Sequence, residues 1–399
     1  MKQKLLQAMF AVLLIANANA QVNSGSNGSD GAFNPTTNIV INMADHPNGI
    51  YQFTSVNISN GVTVTFIPNA NNTPVIWLVQ SNCVIDGTVD VSGKSTIPAN
   101  GAAGGLGGPG GFRGGNGGND GNGGQGPGGG LADGSGQAAA FGTLPTLWNG
   151  SFYVTISNGS SIYGNQFLLP LVGGSGGGGS TNSQVGGGGG GGAILIAASQ
   201  SISLNGIIQA SAGSGGTISC GYGACTYGGG GSGGAVRLVS SQLLGSGGIY
   251  TSGGGGAISE TGGKGRLRID ALDNSFGGFI YGVVSQGFQP IIIPTTGQGA
   301  QLTVTSVGGV AVSASPTGAL STPDAVLSAQ QNNPIPIVVS CANLPLNTQI
   351  TVSVKPANGS AVSATGLNNT GTLSSSTATI SIVIPRGGGL IYAIAATGN

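Results

Sequence analysis

The sequence predicts an all-β chain: a right-handed parallel β-helix, or β-solenoid, with glycine-rich loops, followed by an immunoglobulin-like β-sandwich. Three observations predict it. Apolar and polar residues alternate in short runs broken by Asn-Gly, Asp-Gly and Pro, with no sustained 3.6-residue pattern past residue 20. A strand-turn-strand unit recurs with constant internal spacing. Glycine, 82 of 399 residues, thins sharply near Pro290.

The first twenty residues read as a signal peptide, with basic Met1-Lys2-Gln3-Lys4, an apolar stretch from Leu5 to Ala16, and small residues at Ala18 and Ala20. The mature chain is expected to begin at Gln21, placing the protein outside the cell or on its surface. No later stretch approaches the roughly 18 apolar residues of a spanning helix, so no transmembrane segment is expected. No apolar or basic tail is read at Gly398-Asn399.

Residues 21–290 are assigned to the solenoid. Runs such as Val62-Thr63-Val64-Thr65-Phe66 and Val89-Asp90-Val91 read as strands. Displaced by 42 residues, Gly186–Ala193, Ser199-Gln200 and Gly206-Ile207 fall on Gly228–Ala235, Ser241-Gln242 and Gly248-Ile249. Displaced by 31, Val236-Arg237-Leu238 and Ile249-Tyr250 fall on Leu267-Arg268-Ile269 and Ile280-Tyr281. An earlier copy runs from Val75–Val79 through Asp86-Gly87 to Val89–Gly93. Each unit has too little apolar surface to bury alone, so the copies must stack and share a core. A Greek-key sandwich also uses short strands, but it does not explain equal internal spacing.

The insert Gly101–Gly136 carries almost no side chain to bury. It is either an excursion from one corner of the solenoid or a set of extended, polyproline-II-like strands whose missing Cβ atoms permit close approach. The runs Gly173–Gly179, Gly186–Gly192 and Gly228–Gly234 could cluster with it. From residue 291 to 399, Leu302–Thr305, Ile335–Val339, Ile350–Val354 and Ala378–Ile384 read as strands of the sandwich.

Ten Lys and Arg balance ten Asp and Glu, and only 5% of residues are charged, which excludes a polybasic nucleic-acid surface. Cys220 and Cys225 bracket a small loop and are expected to form a disulfide in an oxidising compartment. Cys83 and Cys341 lie in strand-like stretches and read as buried thiols, an interdomain bond between them remaining open.

Glycan cleavage needs converging carboxylates. Asp86 reads as a turn residue and Asp90 as outward-facing. Asp270 and Asp273, with Arg266 and Arg268, read first as surface ion pairing and second as the place to seek a glycan site. The lone His46 reads as a surface residue. Trp77 is expected in the core and Trp148 at an exposed contact. Nucleophile-elbow patterns around Ser175 and Ser232, a P-loop-like Gly93-Lys94-Ser95 and a calcium-nonapeptide-like stretch ending at Asp120 follow from glycine abundance. No catalytic residue, cofactor or metal is assigned.

The segments Gly28–Pro35, Gly61–Phe66, Asn72–Val75, Gly87–Gly93, Gly107–Phe112 and Gly265–Ile269 resemble a family of uncharacterised, exported, glycine-rich bacterial proteins. The resemblance covers roughly Gly28 to Ala271 and implies export and a β-helical architecture. It supplies no activity. The functional expectation is a non-catalytic structural or adhesive surface protein, with extracellular polysaccharide or other surface proteins as partners and with self-association. Its alternative is a polysaccharide-binding or polysaccharide-cleaving relative of β-helical enzymes. Thr63 and Thr65 raise ice or mineral binding as a third idea, which needs a Thr ladder over successive units.

Overall fold

The computed structural model describes residues 22–96, 103–118, 121–156, 159–218, 227–256, 260–287, 301–313, 316, 323–356, 362–387 and 389–396. Among them the fold is all-β and mostly parallel; the one helical element is a 3-10 turn at Met43–Asp45, and no helix is long and apolar enough to cross a membrane. Cys220, Cys225 and Asp120 lie outside the described residues.

The N-terminal strands are β1 (Gly31–Phe33), β2 (Ile39–Asn42), β3 (Ile50–Ile58), β4 (Thr63–Ile67), β5 (Val75–Val79), β6 (Cys83–Ile85), β7 (Thr88–Asp90), β8 (Thr146–Trp148) and β9 (Tyr153–Thr155). They are followed by β10 (Ala193–Leu204), β11 (Ile207–Gln209), β12 (Ala235–Leu244), β13 (Gly248–Tyr250), β14 (Glu260–Thr261), β15 (Arg266–Asn274), β16 (Phe279–Tyr281) and β17 (Val283–Gly287). A long parallel sheet runs β1-β3-β5-β10-β12-β15-β17, with β6 beside β3 and β10, and a second parallel sheet runs β16-β13-β11-β7-β4-β2.

The register follows the sequence offsets. Ile194 pairs with Val236, Val236 with Leu267, Ile249 with Ile280, and Val89 with Ile208. Side chains of this column point inward, and Val64, Val89, Ile194, Ile208, Val236, Ile249 and Trp77 fill one buried core between the two sheets. Two further units, β1 with β2 and β3 with β4, precede the copies legible in the sequence, and β17 adds a last strand.

The glycine-rich stretches do not loop out; they form a bundle of their own. Successive residues of one run address different neighbours with a period of three. Gly187, Gly190 and Ala193 donate their N–H to Gly115, Phe112 and Pro109; Gly188 and Gly191 to Gly229 and Ser232; Gly189 and Gly192 to Lys94 and Val91, all at 2.7–3.0 Å. Three residues per turn is the screw of a polyproline II strand, which has no internal hydrogen bonds and must find them in its neighbours. The packing admits no side chain: a Cβ at Gly187, Gly188, Gly189 or Gly190 would stand 2.0 Å from a backbone oxygen of the next run. The insert joins this bundle through Gly105, Gly108 and Gly115, which donate to Gly187, Gly190 and Gly177.

Residues 301–396 are antiparallel. Strands β18 (Gln301–Val307), β19 (Val310–Ala311), β20 (Ile335–Ala342), β21 (Gln349–Pro356), β22 (Val362–Leu367), β23 (Thr370–Gly371), β24 (Ser376–Ile382) and β25 (Gly389–Ala396) form sheets ordered β19-β18-β20-β24-β23 and β22-β21-β25. Alternate residues Ile337, Val339, Ile350, Val352 and Ile380 share one buried core. Gly126 of the glycine bundle donates to the Tyr392 hydroxyl at 2.9 Å.

Candidate functional site

The charged group singled out in the sequence is divided by the fold. Strand β15 alternates, so Leu267 and Ile269 enter the core while Arg268 and Asp270 face out of the long sheet. That outward face is itself covered. Residues 163–172 lie against it, with Leu168 and Leu171 packed on Ala193 and Ala235 and with Phe167 over the Arg268 guanidinium at 5.4 Å. Asp270 is therefore completely buried, which corrects the expectation of a surface pair.

Two arginines hold it. Arg237 Nε and Nη2 stand 3.1 and 3.0 Å from Asp270 Oδ2, and Arg268 Nε and Nη2 stand 2.8 and 2.7 Å from Oδ1. Register explains the arrangement: Arg237 lies directly opposite Arg268, and Asp270, one outward position further along β15, bridges these like charges. Arg237 escaped the sequence reading, although the 31-residue offset that aligns it with Arg268 carried the signal.

Arg266 and Asp273 belong elsewhere. Arg266 donates to the Tyr163 carbonyl at 3.0 Å and lies over Phe141. Asp273 is exposed and accepts from Gln242 at 2.9 Å and Ser275 at 3.1 Å. Asp270 is thus buried and bound by two arginines, while the exposed Asp273 is held by other partners, so the fold does not bring these four side chains into one accessible group.

The other candidates also resolve into structure. Asp86 accepts from Asn205 at 2.8 Å in the turn, and Asp90 accepts from the Ser92 amide at 2.8 Å. Ser175 and Ser232 are buried inside the glycine bundle, where the Ser175 amide donates to the Ser232 hydroxyl at 2.8 Å and the Ser175 hydroxyl to Tyr163 at 3.0 Å. The Gly93 and Lys94 amides, which a phosphate loop would aim at its ligand, donate to Ser211 and Leu106 carbonyls. Cys83 and Cys341 are free and buried, and burial pushes the Cys83 thiol up to about 12. Thr63 pairs with Thr88, but Ile207 follows in that column, so no Thr ladder continues. Among the described residues no cluster of three or more His, Cys, Asp or Glu could hold a metal.

Two surface features remain. The first is a shallow cleft of about 280 Å³ beside the 3-10 turn, lined by Ser29, Asp30, Asp45, His46, Asn48 and Gln52. His46 Nε2 lies 3.4 Å from Asp30 Oδ1, and its ring stacks on Tyr51 at 4.2 Å. Burial first, and the charges of Asp45 and Asp30 next, push the Tyr51 phenol up to about 12, so it stays neutral. Among the described residues no nucleophilic side chain is seen hydrogen-bonded to the imidazole.

The second is an aromatic hairpin. Trp148 on β8 and Tyr153 on β9 are direct cross-strand partners, their rings 5.0 Å apart at 58°. Asn149 Oδ1 accepts from the Ser151 and Phe152 amides at 3.1 and 3.0 Å, and Gly150 takes φ +95°, which together lock the turn. Strand β14 anchors the hairpin through pairing with β8. Trp148, Phe152 and Tyr153 are nonetheless 40%, 59% and 62% exposed, so a rigid aromatic surface faces solvent where sequence reading placed Trp148.

No protein-family model matches the chain, and neither curated proteins nor solved structures give a match.

Proposed function

We propose that this is an exported, non-catalytic surface protein, structural and adhesive in role. Its parallel sheets form a right-handed β-solenoid, its C-terminal strands an immunoglobulin-like sandwich, and the Trp148 hairpin meets extracellular polysaccharide. The observation that carries the reading is the exposed Trp148–Tyr153 pair, set against the buried Arg237–Asp270–Arg268 cluster. Aromatic faces held in a fixed geometry stack on the apolar faces of sugar rings at small entropic cost. The leader-like residues 1–20, the resemblance to exported glycine-rich proteins and the low content of charged residues support export and surface presentation.

Polysaccharide cleavage is the competing reading, and one experiment separates the two. Purified protein is mixed with a panel of soluble and insoluble polysaccharides, with and without calcium, and both binding and new chain ends are measured. Binding without new ends, weakened about tenfold in Trp148→Ala, supports the adhesive reading. New ends released by the wild-type protein, retained through repurification and reduced in the exposed-site variant Asp273→Asn, would overturn it.

A further inference from the structure

Among the described residues the two parallel sheets end without caps. At the N-terminal end the last strands are β1 and β2; at the C-terminal end they are β16 and β17. Among the described residues no strand pairs with the free side of any of the four, and each is an edge strand there. None contains a charged residue or a proline, the devices by which edge strands usually prevent pairing.

Side chains repeat the pattern. The inward column of the second sheet runs Ile39, Val64, Val89, Ile208, Ile249 and Ile280. Its internal members are fully buried, whereas Ile39 is 37% exposed and Ile280 only partly buried. The inward column of the long sheet ends likewise on Val284, which is 41% exposed, although Leu267 beside it is buried. Val40 and Ile67 at one end, and Phe279 and Tyr281 at the other, add exposed apolar surface. A stacked core that needs neighbours on both sides therefore lacks one at each end.

We infer that the missing neighbour is a second copy of this chain, stacked head to tail, with β16 of one molecule against β2 of the next. Strand β17 lies at the level of the first residues of β3 and β1 at the level of Ala271, so β17 meets the open first half of the next copy's β3 while that copy's β1 meets the end of β15. All strands of both sheets run parallel, so a translated copy continues each ladder in the same direction at the usual spacing of about 4.8 Å. It places Ile280 on Ile39, the aliphatic contact that every internal pair of the column already makes. A two-fold arrangement would instead make each edge pair antiparallel with itself. Because the contact is heterologous and does not close, the product is a filament. The antiparallel region is tied to the glycine bundle by the Gly126 amide and the Tyr392 hydroxyl. The inference extends the structural reading above and rests on it.

Two charges test it. Ile39→Lys puts an ammonium in the N-terminal edge, and Val284→Lys puts one in the C-terminal edge. The wild-type mass by light scattering should rise with concentration beyond that of a dimer. Each variant alone should remain monomeric, and an equimolar mixture should form dimers and stop there, because each dimer uses the one intact end of each partner. Far-UV circular dichroism and thermal melting verify folding; if either variant fails, Val40→Lys or Phe279→Lys replaces it. A wild-type monomer at every concentration, variants that assemble like the wild type, or one variant that dimerises by itself would overturn head-to-tail stacking. Polysaccharide binding measured on the monomeric variants keeps the two readings apart, since Trp148 lies on neither edge.

Discussion

Replacing Gly190 with alanine tests the glycine bundle most directly. The new Cβ would stand 2.0 Å from the Gly174 carbonyl oxygen, where ordinary contact begins at 3.4 Å, and the obstacle is backbone on both sides. Separating the runs enough to admit it breaks Gly174 N–H to Gly191 and Gly177 N–H to Gly188, bonds of 2.8 and 2.9 Å between the same two runs. Each lost bond costs about 1 kcal/mol, and more where the groups stay buried without partners, giving about 2–5 kcal/mol. Alanine recovers about 0.4–1 kcal/mol by restricting the unfolded chain, so a net loss of about 1–4.6 kcal/mol is expected. Gly277→Ala is the matched control, because a Cβ there meets nothing within 4 Å and its backbone is not left-handed. That control should be neutral or stabilised by the same 0.4–1 kcal/mol or so. Urea unfolding followed by circular dichroism measures both. Equal stabilities for the two variants would refute close packing of the runs.

Asp270→Asn should lose about 3–5 kcal/mol, because it leaves the buried Arg237 and Arg268 guanidiniums without a counter-charge, and urea unfolding reads the loss directly. An Arg237→Met, Asp270→Leu, Arg268→Met triple variant should be far less damaging than Asp270→Asn alone. Cys83 should resist alkylation at pH 8 in the folded protein and react within minutes in urea, as mass spectrometry of the labelled peptide would reveal. The Tyr51 phenol is raised in the folded state, so the unfolded chain releases its proton first. Stability should therefore fall as pH rises from about 10 to about 12, and Tyr51→Phe should flatten that part of the profile.

The sequence offsets carried much of the fold, because in-register parallel pairing of successive units keeps their internal spacing equal: Ile194 falls on Val236 and Val236 on Leu267 in the chain and in the sheet alike. The strand Val62–Phe66 was legible by its alternation, but the units containing β1 to β4 were not legible as copies of the repeat. Trp77 and Trp148 went to the core and the surface as their neighbours implied, the first inside an apolar strand and the second beside Asn149-Gly150. Asp270 could not be placed from its own strand. Alternation puts it on the outward face, and only residues 163–172, distant in sequence, decide that this face is dry. The glycine runs gave the opposite difficulty: their composition announced close approach, but the period of three resides in backbone direction and leaves no mark on a row of identical residues.

The glycine bundle also bears on how stability changes with temperature. Its surfaces buried on folding are chiefly peptide groups, whereas those between the parallel sheets are aliphatic. Exposing apolar surface raises the heat capacity by about 0.45 cal/K/mol per Å², while exposing polar surface lowers it by about 0.26. Unfolding of the bundle therefore offsets part of the heat-capacity increase that the core produces. The free-energy curve becomes flatter than that of a globular protein of the same length, and less of its stability is surrendered on cooling, when hydrophobic attraction fades.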